Sequence, residues 1–206
     1  MVHQSPAETN DDVTSNEHFE GMFVYGRVFW SRFPFLKDHH IKTEIDGLMT
    51  EMVRLGYSGP AAIREIKKDE RYPLQYLVYY NQAFVNLFGE RAFEELARES
   101  AKKKGIISTM ARWAGTPEGA LERAPDSWKK FYAFGKLRTE VTGEGEGVIR
   151  LYDGRVNELF CRYLTHYFEG IGDVINVRLS VEHTKCVLKG DCHSEWEISW
   201  ASDKAP

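Results

Sequence analysis

The stretch Val181–Trp200, VEHTKCVLKGDCHSEWEISW, gathers two of the chain's three cysteines and two of its seven histidines around a single Gly-Asp turn. Ile175, Val177, Leu179, Val181 and His183 alternate with polar neighbours, the chain turns at Lys189-Gly190-Asp191, and Trp196, Ile198 and Trp200 alternate on the way back. A period of two on both sides of a turn predicts a β-hairpin with these residues on its inner face. His183 and Cys186 have opposite parity, so they can face one site only if the strand bulges between them. Lys185, which a regular pleat would place on the inner face, marks where that irregularity belongs. Glu195 and Glu197 alternate with the inward residues and read as a solvated strand face.

Upstream of this hairpin the period lengthens. Val156, Leu159, Phe160, Tyr163, Leu164, Tyr167 and Phe168 recur at the spacing of one apolar helix face, with Asp153 as the expected N-cap and Gly170 and Gly172 as the expected end. Before that helix, KLRTEV and VIRLY flank GEGEG and predict another hairpin. The second half therefore reads hairpin, helix, hairpin. The first half reads as helices. An aromatic-rich segment from Phe19 is broken at Pro34, and a helix covers about Ile41–Leu55. A short helix follows at Ala61–Lys68, then helices at Pro73–Phe88 and Glu90–Ala101. Shorter pieces between Ile106 and Tyr132 are interrupted by Gly115, Pro117 and Pro125. The fold class is α+β, with N-terminal helices packed on an antiparallel sheet of about four strands. Residues 1–18 are polar without hydrophobic period and read as a disordered lead-in to a single domain over 19–202.

Composition narrows the classes. The net charge is -4, and the only basic run, Lys102–Lys104, sits where a helix should end, so nucleic acid is not an expected partner. No apolar run reaches the roughly 20 residues that cross a bilayer. The N-terminus lacks the pattern of a secretory signal, and the three cysteines then indicate a reducing, cytoplasmic setting.

The closing residues Cys186, Gly190, Asp191, Ser194, Trp196 and Ile198, preceded by a helix carrying Cys161, resemble the 4-vinyl reductase domain family and its relatives, the sensor domains of phenol- and xylene-responsive activators. Haem nitric-oxide-binding domains and TRAPP trafficking subunits resemble the architecture more distantly. The likeness spans about Trp128–Trp200. It implies a non-enzymatic small-molecule-binding or sensory domain, a homodimer that signals through a protein partner. It also implies an apolar pocket for a small, apolar or aromatic molecule, with Trp113, Trp128, Phe131 and Tyr132 as its expected lining. A structural zinc is implied too. Cys161 and Cys186 match two ligand positions, His183 stands at an acidic one, and Ser194 stands where a cysteine belongs. Cys192, two residues earlier in the same strand, shares its face and completes a set of Cys161, His183, Cys186 and Cys192. The same residues also read as small buried hydrophobes and a core histidine, with Cys192 and His193 on a solvated turn, or, without a C-x-x-C spacing, as a thiol pair.

A Y-x-S-x-R haem motif is absent, and His166 falls on the polar flank of its helix, as a surface histidine. His39-His40 read as an exposed loop. The many aromatic rings read chiefly as core. No nucleophile elbow, phosphate loop, zincin motif or dinucleotide fingerprint is present. Two alternatives remain from the resemblance: a component of tetrapyrrole vinyl reduction, and a structural TRAPP-like interaction module. No second folded unit is expected beyond Trp200, so output is expected through protein contact.

Overall fold

In the computed structural model, which describes residues 19–39, 42–102 and 115–201, the quoted stretch closes a four-stranded antiparallel sheet. The elements are β1 (Phe23–Tyr25), α1 (Arg27–His39), α2 (Lys42–Arg54), β2 (Arg71–Pro73), α3 (Leu74–Lys102), α4 (Pro117–Phe131), β3 (Lys136–Gly143), β4 (Glu146–Tyr152), α5 (Glu158–Ile175), β5 (Leu179–Lys185) and β6 (Ser194–Trp200). The sheet order is β3-β4-β6-β5, and a separate two-stranded ribbon pairs β1 with β2. The α+β class and the four-stranded antiparallel sheet are as the sequence led one to expect. The register places Ile149 opposite both Thr139 and Trp196, and His183 opposite Trp196, so these residues share the inner face. The bulge required of β5 lies between His183 and Lys185. Trp196 is fully buried, and its indole N–H donates to Thr165 Oγ1 at 3.0 Å, tying the sheet to α5.

Several boundaries differ from the sequence reading, each for a local reason. The cap of α5 is Asn157, whose side chain accepts from the Phe160 N–H at 3.0 Å, while Asp153 adopts a left-handed turn with φ 54 and faces Lys136. Gly170 and Gly172 do not end α5, which runs on to Asn176 at φ 58. Gly170 is there for closeness: a Cβ would stand 2.5 Å from the Arg98 carbonyl oxygen, so only glycine lets α5 approach α3. The two helices expected on either side of Gly89 are borne out: within α3 the backbone at that residue is non-helical (φ 83, ψ 169) and separates them at a kink. The short helix expected at Ala61–Lys68 contracts to one 3₁₀ turn, Ile63–Glu65, and β5 begins at Leu179 rather than Ile175.

Two prolines fail to break their helices. Pro34 lies inside α1. Pro125 lies inside α4, where it removes the N–H that should reach the Leu121 carbonyl; the Thr139 hydroxyl from β3 donates to that carbonyl instead, at 2.8 Å. Pro117 opens α4 at a position where a missing N–H costs nothing, under a Thr116 cap that accepts from Gly119. No helix among the described residues is long and apolar enough to cross a membrane.

Candidate functional site

The face of α4 that turns inward carries Ala120, Leu121, Ala124, Ser127, Trp128 and Phe131, a stripe at helical spacing whose small members leave room. Facing it, α5 presents Tyr163, Leu164, Tyr167, Phe168 and Ile171, again at the 3–4 spacing. The inner face of the sheet supplies Leu137, Ile149, Leu179, Ile198 and Trp200, and Trp30 to Pro34 of α1 close one side. Together they line a largely apolar, partly open cavity of about 170 Å³. Of the residues expected to line a pocket, Trp128, Phe131 and Tyr132 are in this wall; Trp113 lies outside the described residues. Trp128 is fixed by donating its indole N–H to the Phe134 carbonyl at 2.9 Å and by stacking on Tyr132 at 4.0 Å.

Ser31, Ser100, Ser127 and Arg123 also belong to the wall, but its buried charge is Arg32. It is 1% exposed, and Nη1 donates to the Val28 carbonyl at 2.8 Å, one turn back on α1. Nε and Nη2 have no hydrogen-bond partner, and no ion pair reaches Arg32 among the described residues. The guanidinium lies instead 4.0 Å above the Tyr163 ring and 5.8 Å from that of Tyr80. Arginine cannot lose its proton in a protein, so this is a buried positive charge. A cation–π contact of about 2 kcal/mol offsets only part of the several kcal/mol that burying an ion costs. The phenols around it remain neutral: burial pushes Tyr132, Tyr167 and Tyr80 well above the ordinary tyrosine range, with the Arg32 charge pulling weakly the other way. Arg32 went unremarked in the sequence, although it occupies a buried position on one helix stripe with Val28, Phe29, Phe35 and Leu36. A lone cation on an apolar helix face was the available signal.

The opening stretch builds a second constellation. With β5 bulged, Cys161 of α5 and His183 and Cys186 of the hairpin bring their ligand atoms within 4.8 Å of one another. Burial pushes the Cys161 thiol far up, with Cys186 beside it adding to the effect, while burial and Lys189 lower the His183 pKa. The His183 ring stacks on Trp196 at 4.7 Å, and its Nε2 is buried without a hydrogen-bond partner. Cys192 does not join them. It is exposed, with Sγ 3.0 Å from His193 Nδ1, and is not part of the cluster. The four-residue set is thus reduced to three donors, one fewer than a closed structural zinc site takes.

The outer face of β6 also departs from expectation. Glu195 is 3% exposed rather than solvated, and is held by Arg150, by Lys185 at 2.7 Å and by buried His193 at 3.3 Å. Burial opposes its charge, but the hydrogen bonds from Lys185, Arg150 and His193 outweigh that and hold its pKa at about 2. His166 is turned to Glu169 at 2.9 Å and Glu94 at 3.7 Å, outside the cavity wall.

No protein family matches the chain by sequence, and no curated protein matches it. Solved structures do match its fold. An H-NOX protein from S. oneidensis in the Fe(II)NO ligation state superposes with a TM-score of 0.62 at 11% identity, covering 86% of this chain and 99% of that one. The Fe(II) unliganded H-NOX protein from K. algicida gives 0.57 at 9% identity, covering 88% and 99%. A structure concerned with modulating haem redox potential through porphyrin distortion gives 0.56 at 12% identity, covering 85% and 98%. These neighbours are haem nitric oxide/oxygen-binding domains, so the likeness to 4-vinyl reductase domains is overturned. The zinc expectation falls with it: these neighbours are haem proteins, and α5 and the hairpin together supply three clustered donors rather than four.

Proposed function

We propose that this chain is a non-enzymatic sensory domain that binds a small molecule in the cavity between α1, α4, α5 and the sheet. In this reading it is cytoplasmic, forms one domain over residues 19–202, and as a homodimer passes its ligand state to a protein partner. The observation that carries the reading is the cavity itself, a largely apolar chamber between sheet and helices with a few buried polar groups, Arg32, Ser100 and Ser127, which is the usual form of a small-molecule site.

Haem, the group the structural neighbours hold, fits this chamber poorly. Iron in haem takes a histidine, cysteine, methionine or tyrosinate ligand. The described wall contains no histidine, cysteine or methionine, and the sequence has no histidine between His40 and His166. The Tyr132 and Tyr167 phenols are disfavoured as phenolates by their burial. A volume of about 170 Å³ also falls below the roughly 300–1,000 Å³ of sites for drug-sized ligands, and a porphyrin is at least that large. An engineered apolar cavity of about 150 Å³ admits benzene, which sets the scale of what this one holds.

The test is calorimetric titration of the purified chain with toluene, beside an Ala124→Phe variant whose new ring fills the chamber from α4. Saturable binding by the parent and none by the folded variant is the expected result. Equal heats from both would place the binding elsewhere and remove the basis of the reading.

A further inference from the structure

We infer that the cavity is built for a small organic acid, a single aromatic ring or short branched apolar body bearing one carboxylate, which Arg32 grips side-on. The inference rests on the cavity reading above and names the chemical class of its ligand.

Nε and Nη2 form one edge of the guanidinium, the edge whose two parallel N–H groups match the two oxygens of a carboxylate. In this protein that edge is the unpaired one; Nη1 is committed to the Val28 carbonyl. The side chain is 1% exposed and belongs to the cavity wall, and Nε and Nη2 are covered in the unliganded protein, so an anion in the cavity reaches the free edge as the groups packed over it give way. The groups packed around the guanidinium are phenols, of Tyr80, Tyr132 and Tyr163, and no carboxylate pairs with it among the described residues. Burial keeps the Tyr80 and Tyr132 phenols protonated, so they do not compensate the charge, and Tyr132, already hydrogen-bonded to Arg32, keeps a hydroxyl proton that can be donated to a bound carboxylate oxygen. Arg123 also borders the cavity but is exposed, where water screens it.

Charge and size then select the ligand together. One buried cation is matched by one anionic charge; a phosphate dianion would leave a charge uncompensated against an apolar wall. Leu121, Trp128, Phe131, Ile149 and Phe168 offer apolar contact over much of the remaining wall, and the volume admits about one ring beyond the carboxylate. A ligand without the carboxylate leaves the guanidinium unpaired, and one without an apolar body leaves the chamber unfilled.

Benzoate and toluene, which share the ring and differ in the carboxylate, separate the two parts of the claim. Calorimetric titration of the whole chain is expected to show benzoate binding at least about tenfold tighter than toluene, the worth of a charge-assisted bidentate pair. Arg32→Met, which keeps the volume and removes the charge, is expected to lose that advantage and to leave toluene binding within about threefold of the parent. Arg32→Lys, which keeps the charge but not the fork, provides the comparison if the methionine variant does not fold, and is expected to bind benzoate several-fold more weakly. The Arg32 Nε–H resonance is expected to shift on adding benzoate and not on adding toluene. Benzoate affinity equal in parent and variants overturns the inference, as does toluene binding without benzoate binding, which leaves the cavity reading intact. Failure of both probes to bind the parent overturns both.

Discussion

Replacing Arg32 with methionine is expected to stabilise the unliganded protein, an unusual outcome for a fully buried residue. The guanidinium gives up its hydration, at an effective penalty of several kcal/mol. Against this stand the stack on Tyr163, about 2 kcal/mol, and one charged hydrogen bond to the Val28 carbonyl, about 1.5–3 kcal/mol. The Val28 carbonyl keeps its backbone donor when the side chain is removed, because the helix bond from residue 32 does not involve the side chain. Methionine fills the same volume with apolar atoms. Exchanging a buried ionic group for a hydrophobic one is neutral to stabilising by about 1–4 kcal/mol, and without a carboxylate partner the upper half of that range applies. At about 2–4 °C per kcal/mol for a chain of this size, the melting temperature should rise by about 5–16 °C. Urea unfolding is the assay: the midpoint should rise with the slope unchanged, which excludes an altered unfolded state. Destabilisation by about 3–5 kcal/mol, the cost of breaking a buried ion pair, would mean that Arg32 has a protein counter-charge and would refute the reasoning.

Three further outcomes follow from the packing. Gly170→Ala should destabilise by about 1–3 kcal/mol although alanine is the better helix former, because the added Cβ meets the Arg98 carbonyl; a gain in melting temperature would contradict the close α3–α5 contact. Thr139→Val should cost about 1–3 kcal/mol by orphaning the Leu121 carbonyl, and should cost little when Pro125→Ala has restored the helical N–H; equal costs in the two backgrounds, read from a double-mutant cycle, would dismiss the substitution of hydroxyl for amide. Glu195 has a folded pKa of about 2, below its unfolded value near 4.5, so its charge contributes stability that is full above pH 4.5 and fades as pH falls toward 2. Urea midpoints measured across that window should fall for the parent and fall less steeply for Glu195→Gln; parallel acid limbs would show that the Lys185, Arg150 and His193 contacts do not set its charge.

The C-terminal half was legible because period and turn chemistry agree there. Alternation in 136–152 and 179–200 and the apolar stripe of 156–168 each admit one reading, and even the bulge in β5 followed from the clash of parity between His183 and Cys186. What escaped was decided by partners distant in sequence. The β1–β2 ribbon has three residues a side, too few for a period to show. Gly170 looks like a helix stop until the Arg98 backbone is seen against it, and Pro125 looks like a break until Thr139 is seen to replace its hydrogen bond. The candidate site divided in the same way. Trp128, Phe131 and Tyr132 lie on a helix face that the sequence displays. That Cys192 stays outside the cluster depended on how the hairpin end folds. Arg32 required the whole cavity to be assembled before its free edge meant anything.

Haemin titration of the purified chain, followed by absorbance in the porphyrin band, tests most directly whether an H-NOX-like fold here serves a small ligand in place of haem. The expected result is the spectrum of free haemin added to that of the protein, unsaturable and unchanged by reduction, with benzoate still binding in its presence. A sharp band that saturates at one haemin per chain and excludes benzoate would contradict it, and would make the cavity around Arg32 a haem pocket.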